Sequence, residues 1–114
     1  MTRQLRITIG LTLIAAIVAT ANLFAASVVR GRLVRRGPYG DYPAAGVGVS
    51  VFALSSGIGR SAMAYTGGDG MYYIPNVPGG QYKLEIWVSN PPWAYDIVVD
   101  DRQAYTDIAP IVIP

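Results

Sequence analysis

The chain contains no cysteine and no histidine, and these two absences close much catalytic chemistry before any motif is considered. Without them there is no Ser-His-Asp or Cys-His nucleophile, no zinc site of the usual ligands and no CxxC redox pair. Lysine is almost missing as well, since Lys83 is the sole one. Charged residues make up 14% of the 114 residues against 52% apolar, and no two carboxylates are spaced for general acid–base work. The expectation is a non-enzymatic protein of one domain with a short appendage, without cofactor or metal.

The appendage is the N-terminus. Arg3 and Arg6 precede an apolar run from Ile7 to Ala21, and small residues gather at Ala25, Ala26 and Ser27. A basic start, an apolar middle and a small-residue exit describe a secretory signal peptide over residues 1–26, here expected as a hydrophobic signal helix. Cutting after Ser27 leaves Ala25 and Ser27 at the two small positions, whereas cutting after Ala25 places Leu23 at the outer one. The alternative is an uncleaved membrane anchor, because the residues from Ile7 to Ala26 carry no charge and are long enough to span. No Arg pair marks a twin-arginine route, and without cysteine there is no lipoprotein anchor.

This segment changes the meaning of the net charge. The whole chain carries +2. From Ser27 onward it holds seven basic and seven acidic residues and is formally neutral. A neutral domain lacks the electrostatic footprint that nucleic-acid binding needs. The cluster Arg30, Arg32, Arg35 and Arg36 is expected to be a solvated strand face.

Residues 27–114 show no long helical period and no internal repeat. All 8 prolines and 12 of the 13 glycines lie there, while its tyrosines, tryptophans and β-branched residues argue for a packed core over disorder. Several runs alternate with the period of two of half-buried strands. Val47, Val49 and Val51 share one face. Tyr82, Leu84, Ile86 and Val88 share another, as do Trp93, Tyr95, Ile97 and Val99, which places Trp93 in the core. Further strands are expected at 27–36, 60–66, 71–75 and 104–113, with Pro110 at an edge. Seven strands of this length predict two antiparallel sheets face to face. Gly67-Gly68-Asp69-Gly70 supplies a tight turn, and Val77-Pro78-Gly79-Gly80 a second.

The segment from Thr66 to Leu84 (T-G-G-D-G-M-Y-Y-I-P-N-V-P-G-G-Q-Y-K-L) resembles the central motif of carboxypeptidase regulatory-like domains, T-x-x-D-G-x-Y-x-I/L-x-x-V/L-P-x-G-x-Y-x-L. Val29-Arg30-Gly31-Arg32-Leu33 is similar to that family's opening strand, and Pro43-Ala44-Ala45-Gly46-Val47-Gly48-Val49 to its second. The resemblance covers residues 27–90. It implies a transthyretin-like, seven-stranded antiparallel Greek-key β-sandwich over residues 27–114, with Asp69-Gly70 closing a hairpin and Tyr72, Ile74, Tyr82 and Leu84 pointing inward. These are scaffold positions, and the family's modules accompany other proteins without catalysing reactions. The transthyretin-related hydroxyisourate hydrolases and the intradiol dioxygenases on similar sandwiches depend on histidines, and the lysine-based cross-link of collagen-adhesin repeats starts in the first strand, whereas Lys83 lies in a middle one. Asp100-Asp101 is expected to be a solvated turn rather than half of a calcium site.

Strand alternation leaves Met63, Tyr65, Met71, Tyr73 and Trp87 outside. If their strands pair, these five form one apolar-aromatic patch, a feature that often marks a binding surface. The expected partner is an envelope or extracellular protein, or a further copy of the chain. The alternative is a polysaccharide stacked on Trp87 and Tyr73. A third expectation is that the loop 37–43 or the C-terminal segment covers the patch. Together these features predict a secreted or periplasmic binding module, or a membrane-anchored one facing outward, touching the membrane only through residues 7–26.

Overall fold

A computed structural model describes residues 26–54 and 59–114. The expected signal or anchor segment falls, except for Ala26, outside the described residues.

The described chain is all strand and turn: β1 (Ala26–Gly37), β2 (Gly40–Pro43), β3 (Gly48–Ala53), β4 (Ala64–Tyr65), β5 (Met71–Pro78), β6 (Gly80–Ile86), β7 (Trp93–Val99), β8 (Tyr105–Asp107) and β9 (Ile111–Ile113). They form two sheets. In the first, every strand pairs with β1; in the second the order is β4-β3-β6-β7. One apolar core joins them: Val29, Leu33, Tyr72, Ile74 and Ile113 from the first sheet meet Val49, Val51, Tyr82, Leu84 and Ile86 from the second. The all-β, two-sheet sandwich is therefore as the period of two predicts.

The strand count and directions differ from expectation. The loop expected at 37–43 is a hairpin, with Gly37 opposite Gly40 and Arg36 opposite Asp41, so it extends a sheet instead of covering one. The single strand expected at 104–113 is two, β8 and β9, separated by a segment containing Pro110, which has no N–H to give a ladder. Both run parallel to β1, so the first sheet is mixed rather than antiparallel. The N–H of Leu33 donates to Gly70 O, and its C=O accepts from Ala44 N–H. Hence β5 and β2 lie end to end on one side of β1, with β8 and β9 end to end on the other.

The turn Gly67–Gly70 also does something other than close a hairpin. Strand β4 pairs with β3, and β5 with β1, so the turn carries the chain from the second sheet to the first. Asp69 Oδ1 accepts from Met71 N–H at 2.9 Å. Gly70 has φ +78°, and a Cβ there would lie 2.4 Å from the Leu33 carbonyl oxygen, so only glycine lets the strands close. The motif threonine locks the same corner. Buried Thr66 donates from Oγ1 to Ala44 O and accepts from Val47 N–H at 2.9 Å.

Within β5 the inward set is Tyr72, Ile74 and then Val77, a step of three. The register against β1 shifts between Ser27 and Val29, leaving Pro75 and Asn76 opposite one residue. Asn76 has φ 57°, the left-handed conformation that asparagine tolerates better than most side chains. This bulge restores Val77 to the core.

Candidate functional site

The five outward residues fall on both outer faces of the sandwich. Tyr65 lies opposite Gly48, and a Cβ on Gly48 would lie 2.9 Å from Met63 Sδ and 3.6 Å from Trp87 Cβ. Met63, Tyr65 and Trp87 therefore gather over Gly48, outside the second sheet. Met71 and Tyr73 lie opposite Arg32 and Arg30 on the outer face of the first. The pairing that a single patch requires does not occur, because β5 joins β1 while β4 and β6 flank β3. A platform shared by Trp87 and Tyr73 is not formed.

On the second sheet the outer face is organised by ionic and aromatic contacts. Buried Glu85 receives Arg60 Nε at 2.6 Å and Nη2 at 2.9 Å, and the Ser50 hydroxyl at 2.8 Å. Trp87 Nε1–H donates in turn to Ser50 Oγ at 2.9 Å. The Arg60 guanidinium sits 5.2 Å from the Trp87 ring centre and 5.6 Å from that of Phe52. The Arg60 guanidinium is the main cause holding the Glu85 carboxyl below its ordinary range; burial opposes it and Ser50 assists. Ser50 alternates with the core valines and so lies on the outer face of the sheet. It is fully buried because this network lies over it. The Glu85 carboxylate, the Ser50 hydroxyl and the Trp87 indole N–H are all partnered within the network, which makes it a brace for Trp87 rather than a free binding group.

The first sheet presents a different arrangement. Arg30 stands between Tyr73 on β5 and Asp107 on β8. Its guanidinium lies 3.9 Å from the Tyr105 ring centre, and Nε reaches Asp107 Oδ1 at 2.5 Å. The hydrogen bond with Arg30 is the main cause holding the Asp107 carboxyl below its ordinary range. Tyr73 and Tyr105 are each about half exposed, at 52% and 48%. Arg32 follows on the same face beside Met71, exposed and with no ion pair among the described residues. Tyr73, Arg30 and Tyr105 thus form a row across three strands, with one cation fixed by an aromatic ring and a carboxylate. Tyr105 and Asp107 escape a reading of the sequence, because only the parallel pairing of β8 with β1 brings them to Arg30. The outward phase of Arg30 and Arg32 in β1 is the signal that was there to be used.

The acidic pair expected in a turn is found in one. Asp100 Oδ1 accepts from the Arg102 N–H at 3.0 Å and from its Nε at 3.1 Å. Among the described residues no cluster of three or more potential metal ligands occurs. Trp93, expected in the core, is instead exposed, because β7 is a sheet edge with no neighbour beyond it among the described residues.

The architecture is that of a two-sheet β-sandwich. No protein-family model and no curated protein matches the chain. Among solved structures, the major pilin subunit BcpA of Bacillus cereus is similar at a TM-score of 0.53 and 8% identity, over 77% of this chain and 30% of that one. GBS52, the minor pilin of the Gram-positive pathogen Streptococcus agalactiae, aligns at a TM-score of 0.49 and 14% identity, over 75% and 44% respectively. The chain spans less than a third of the first and less than half of the second. At such identity the likeness to BcpA is one of fold.

Proposed function

We propose that this chain is a non-catalytic β-sandwich module, exported by residues 1–26, that makes protein–protein contacts through the outer face of its first sheet. The observation that carries the reading is the row Tyr73–Arg30–Tyr105. Two half-exposed aromatic rings flank a guanidinium that Asp107 already orients, so little side-chain freedom remains to be lost on binding. Of the five residues singled out by alternation, Met71 and Tyr73 belong to this face. Met63, Tyr65 and Trp87 form a second cluster over Gly48. The partner is an envelope or extracellular protein offering apolar and acidic groups, the latter to Arg32. The fold shared with a pilin subunit supports this setting, and the absence of histidine and cysteine supports a role without catalysis. The resemblance to carboxypeptidase regulatory-like domains belongs to the same reading, since the motif residues Thr66, Tyr72, Ile74, Tyr82 and Leu84 are all buried scaffold.

Photo-crosslinking tests it. A crosslinking side chain at Tyr73 in the full chain, expressed in a bacterial host, is expected to capture a discrete protein band from the envelope fraction. Arg30→Glu is expected to abolish that band while leaving the circular dichroism unchanged. No band, or a band indifferent to Arg30→Glu, overturns the proposal. Protease accessibility on intact cells checks the outward location.

A further inference from the structure

Natural sheets blunt their free edges with prolines, bulges, lysines or short strands. Most edges of this molecule follow the rule. Strand β5 carries Pro75, Pro78 and the bulge at Asn76. Strands β2, β4, β8 and β9 have four, two, three and three residues. Strand β7 does not follow it. It runs seven residues, Trp-Ala-Tyr-Asp-Ile-Val-Val, with no Pro or Lys, and its register on β6 is continuous from Gly80 opposite Val99 to Ile86 opposite Trp93.

The hydrogen-bond phase identifies which backbone groups are free. Trp87 N–H donates to Gly48 O and Leu54 N–H to Gln81 O, so the odd-numbered residues of β6 face β3 and the even-numbered ones face β7. In β7 this turns Trp93, Tyr95, Ile97 and Val99 toward β6. The N–H and C=O of Ala94, Asp96 and Val98 point away from the sheet, to no strand among the described residues. The side chains are equally uncovered. Val98 is 70% exposed, and Trp93 and Tyr95, on the core-facing side, are 38% and 37% exposed. Asp96, the strand's one charge, is held by Lys83 at 2.5 Å.

We infer that β7 is the self-association edge of this protein: a second copy adds its own β7 antiparallel across a two-fold axis, joining the two four-stranded sheets into one. The strand is self-complementary in a register centred on Tyr95. Ala94 then exchanges hydrogen bonds with Asp96 of the second copy, and the reverse, while the Val98 N–H meets the carbonyl of Pro92. All three free N–H groups find acceptors, and Pro92 serves only as acceptor. A register centred on Asp96 opposes two carboxylates and is disfavoured. The Tyr95 register sets Trp93 across from Ile97 of the second copy and Tyr95 across from its counterpart, covering the rings the monomer leaves open. This edge is separate from the Tyr73–Arg30–Tyr105 face.

The test uses the full chain in mild detergent. Sedimentation across a hundredfold concentration range is expected to show a monomer–dimer equilibrium, with amide hydrogen exchange at Ala94, Asp96 and Val98 slowed at least tenfold in the dimer. Ala94→Pro removes a donor that the monomer does not use, and Tyr95→Glu opposes two carboxylates on the axis. Both are expected to remain folded by circular dichroism, to sediment as monomers and to exchange these amides rapidly. A wild-type chain that stays monomeric overturns the inference. So does a dimer that persists in whichever variant is folded, or one whose three amides exchange freely.

Discussion

The two sheets solve the same packing problem by different means. The second is built mostly from neighbours: β3 pairs with β4 and β6 with β7, and only the β3–β6 pairing joins more distant segments. The first is built on one long strand that collects partners from almost the whole described length, including two short parallel ones whose contacts span more than seventy residues. Local pairing leaves the second sheet with a long, unblunted edge. Non-local pairing divides the edges of the first into short pieces. The comparison teaches that exposure in this sandwich is set by strand order, because the same alternating pattern yields a brace on one outer face and an open aromatic row on the other.

Breaking the junction between the sheets gives the largest effect. Gly70→Ala forces a Cβ against the Leu33 carbonyl at positive φ, and a loss of about 3 kcal/mol is expected in urea titration. Truncating the first sheet alone comes next. Ile113→Ala empties a core position supplied by β9, with an expected loss of about 2.5 kcal/mol. Trp87 and Trp93, the only tryptophans, both belong to the second-sheet side, so their fluorescence reports whether that sheet melts with the first. Coincident fluorescence and circular dichroism transitions are expected for one cooperative core. Separate transitions would divide the comparison into two folding units.

On the second sheet, Glu85→Ala strands the buried Ser50 hydroxyl and loosens Trp87, for a loss of about 2 kcal/mol. The same carboxyl fixes the pH response. Its folded-state pKa is lowered, so its contribution is present above the unfolded value and is lost as pH falls through the folded one. Urea midpoints measured from pH 7 down to pH 3 are expected to fall more steeply for the wild type than for Glu85→Gln. The smallest effect has the opposite sign. Tyr72 packs its ring over Gly31, and its buried hydroxyl has no partner among the described residues. Burial pushes that hydroxyl's pKa well up. Tyr72→Phe removes an unpaired polar atom and is expected to stabilise by about 1 kcal/mol.

Much of the second sheet was legible in the sequence. The valines of β3 and the apolar set of β6, Tyr82 and Leu84 among them, alternate cleanly; in the first sheet Tyr72 and Ile74 are buried as the motif resemblance implies, and Thr66 is buried too. What escaped is what alternation does not encode. It names the face of a strand but not its neighbour, so it groups Met71 and Tyr73 with Met63, Tyr65 and Trp87 across a sheet boundary. It is blind to Asn76, where one extra residue resets the phase. It cannot tell a core strand from an edge strand, which is why it puts Trp93 in the interior. Strand β2 was hidden by its turn-like composition, and β8 and β9 by the proline between them.

The position of β8 and β9 also orders events in time. The first sheet is not closed until residues 105–113 dock beside β1, which is made first among the described strands. A chain being synthesised therefore holds Val29 and Leu33 uncovered on one side until nearly the whole module is available. Such long-range closure slows folding and lengthens exposure to aggregation. The second sheet, with its hairpin of β6 and β7, is able to form earlier and wait.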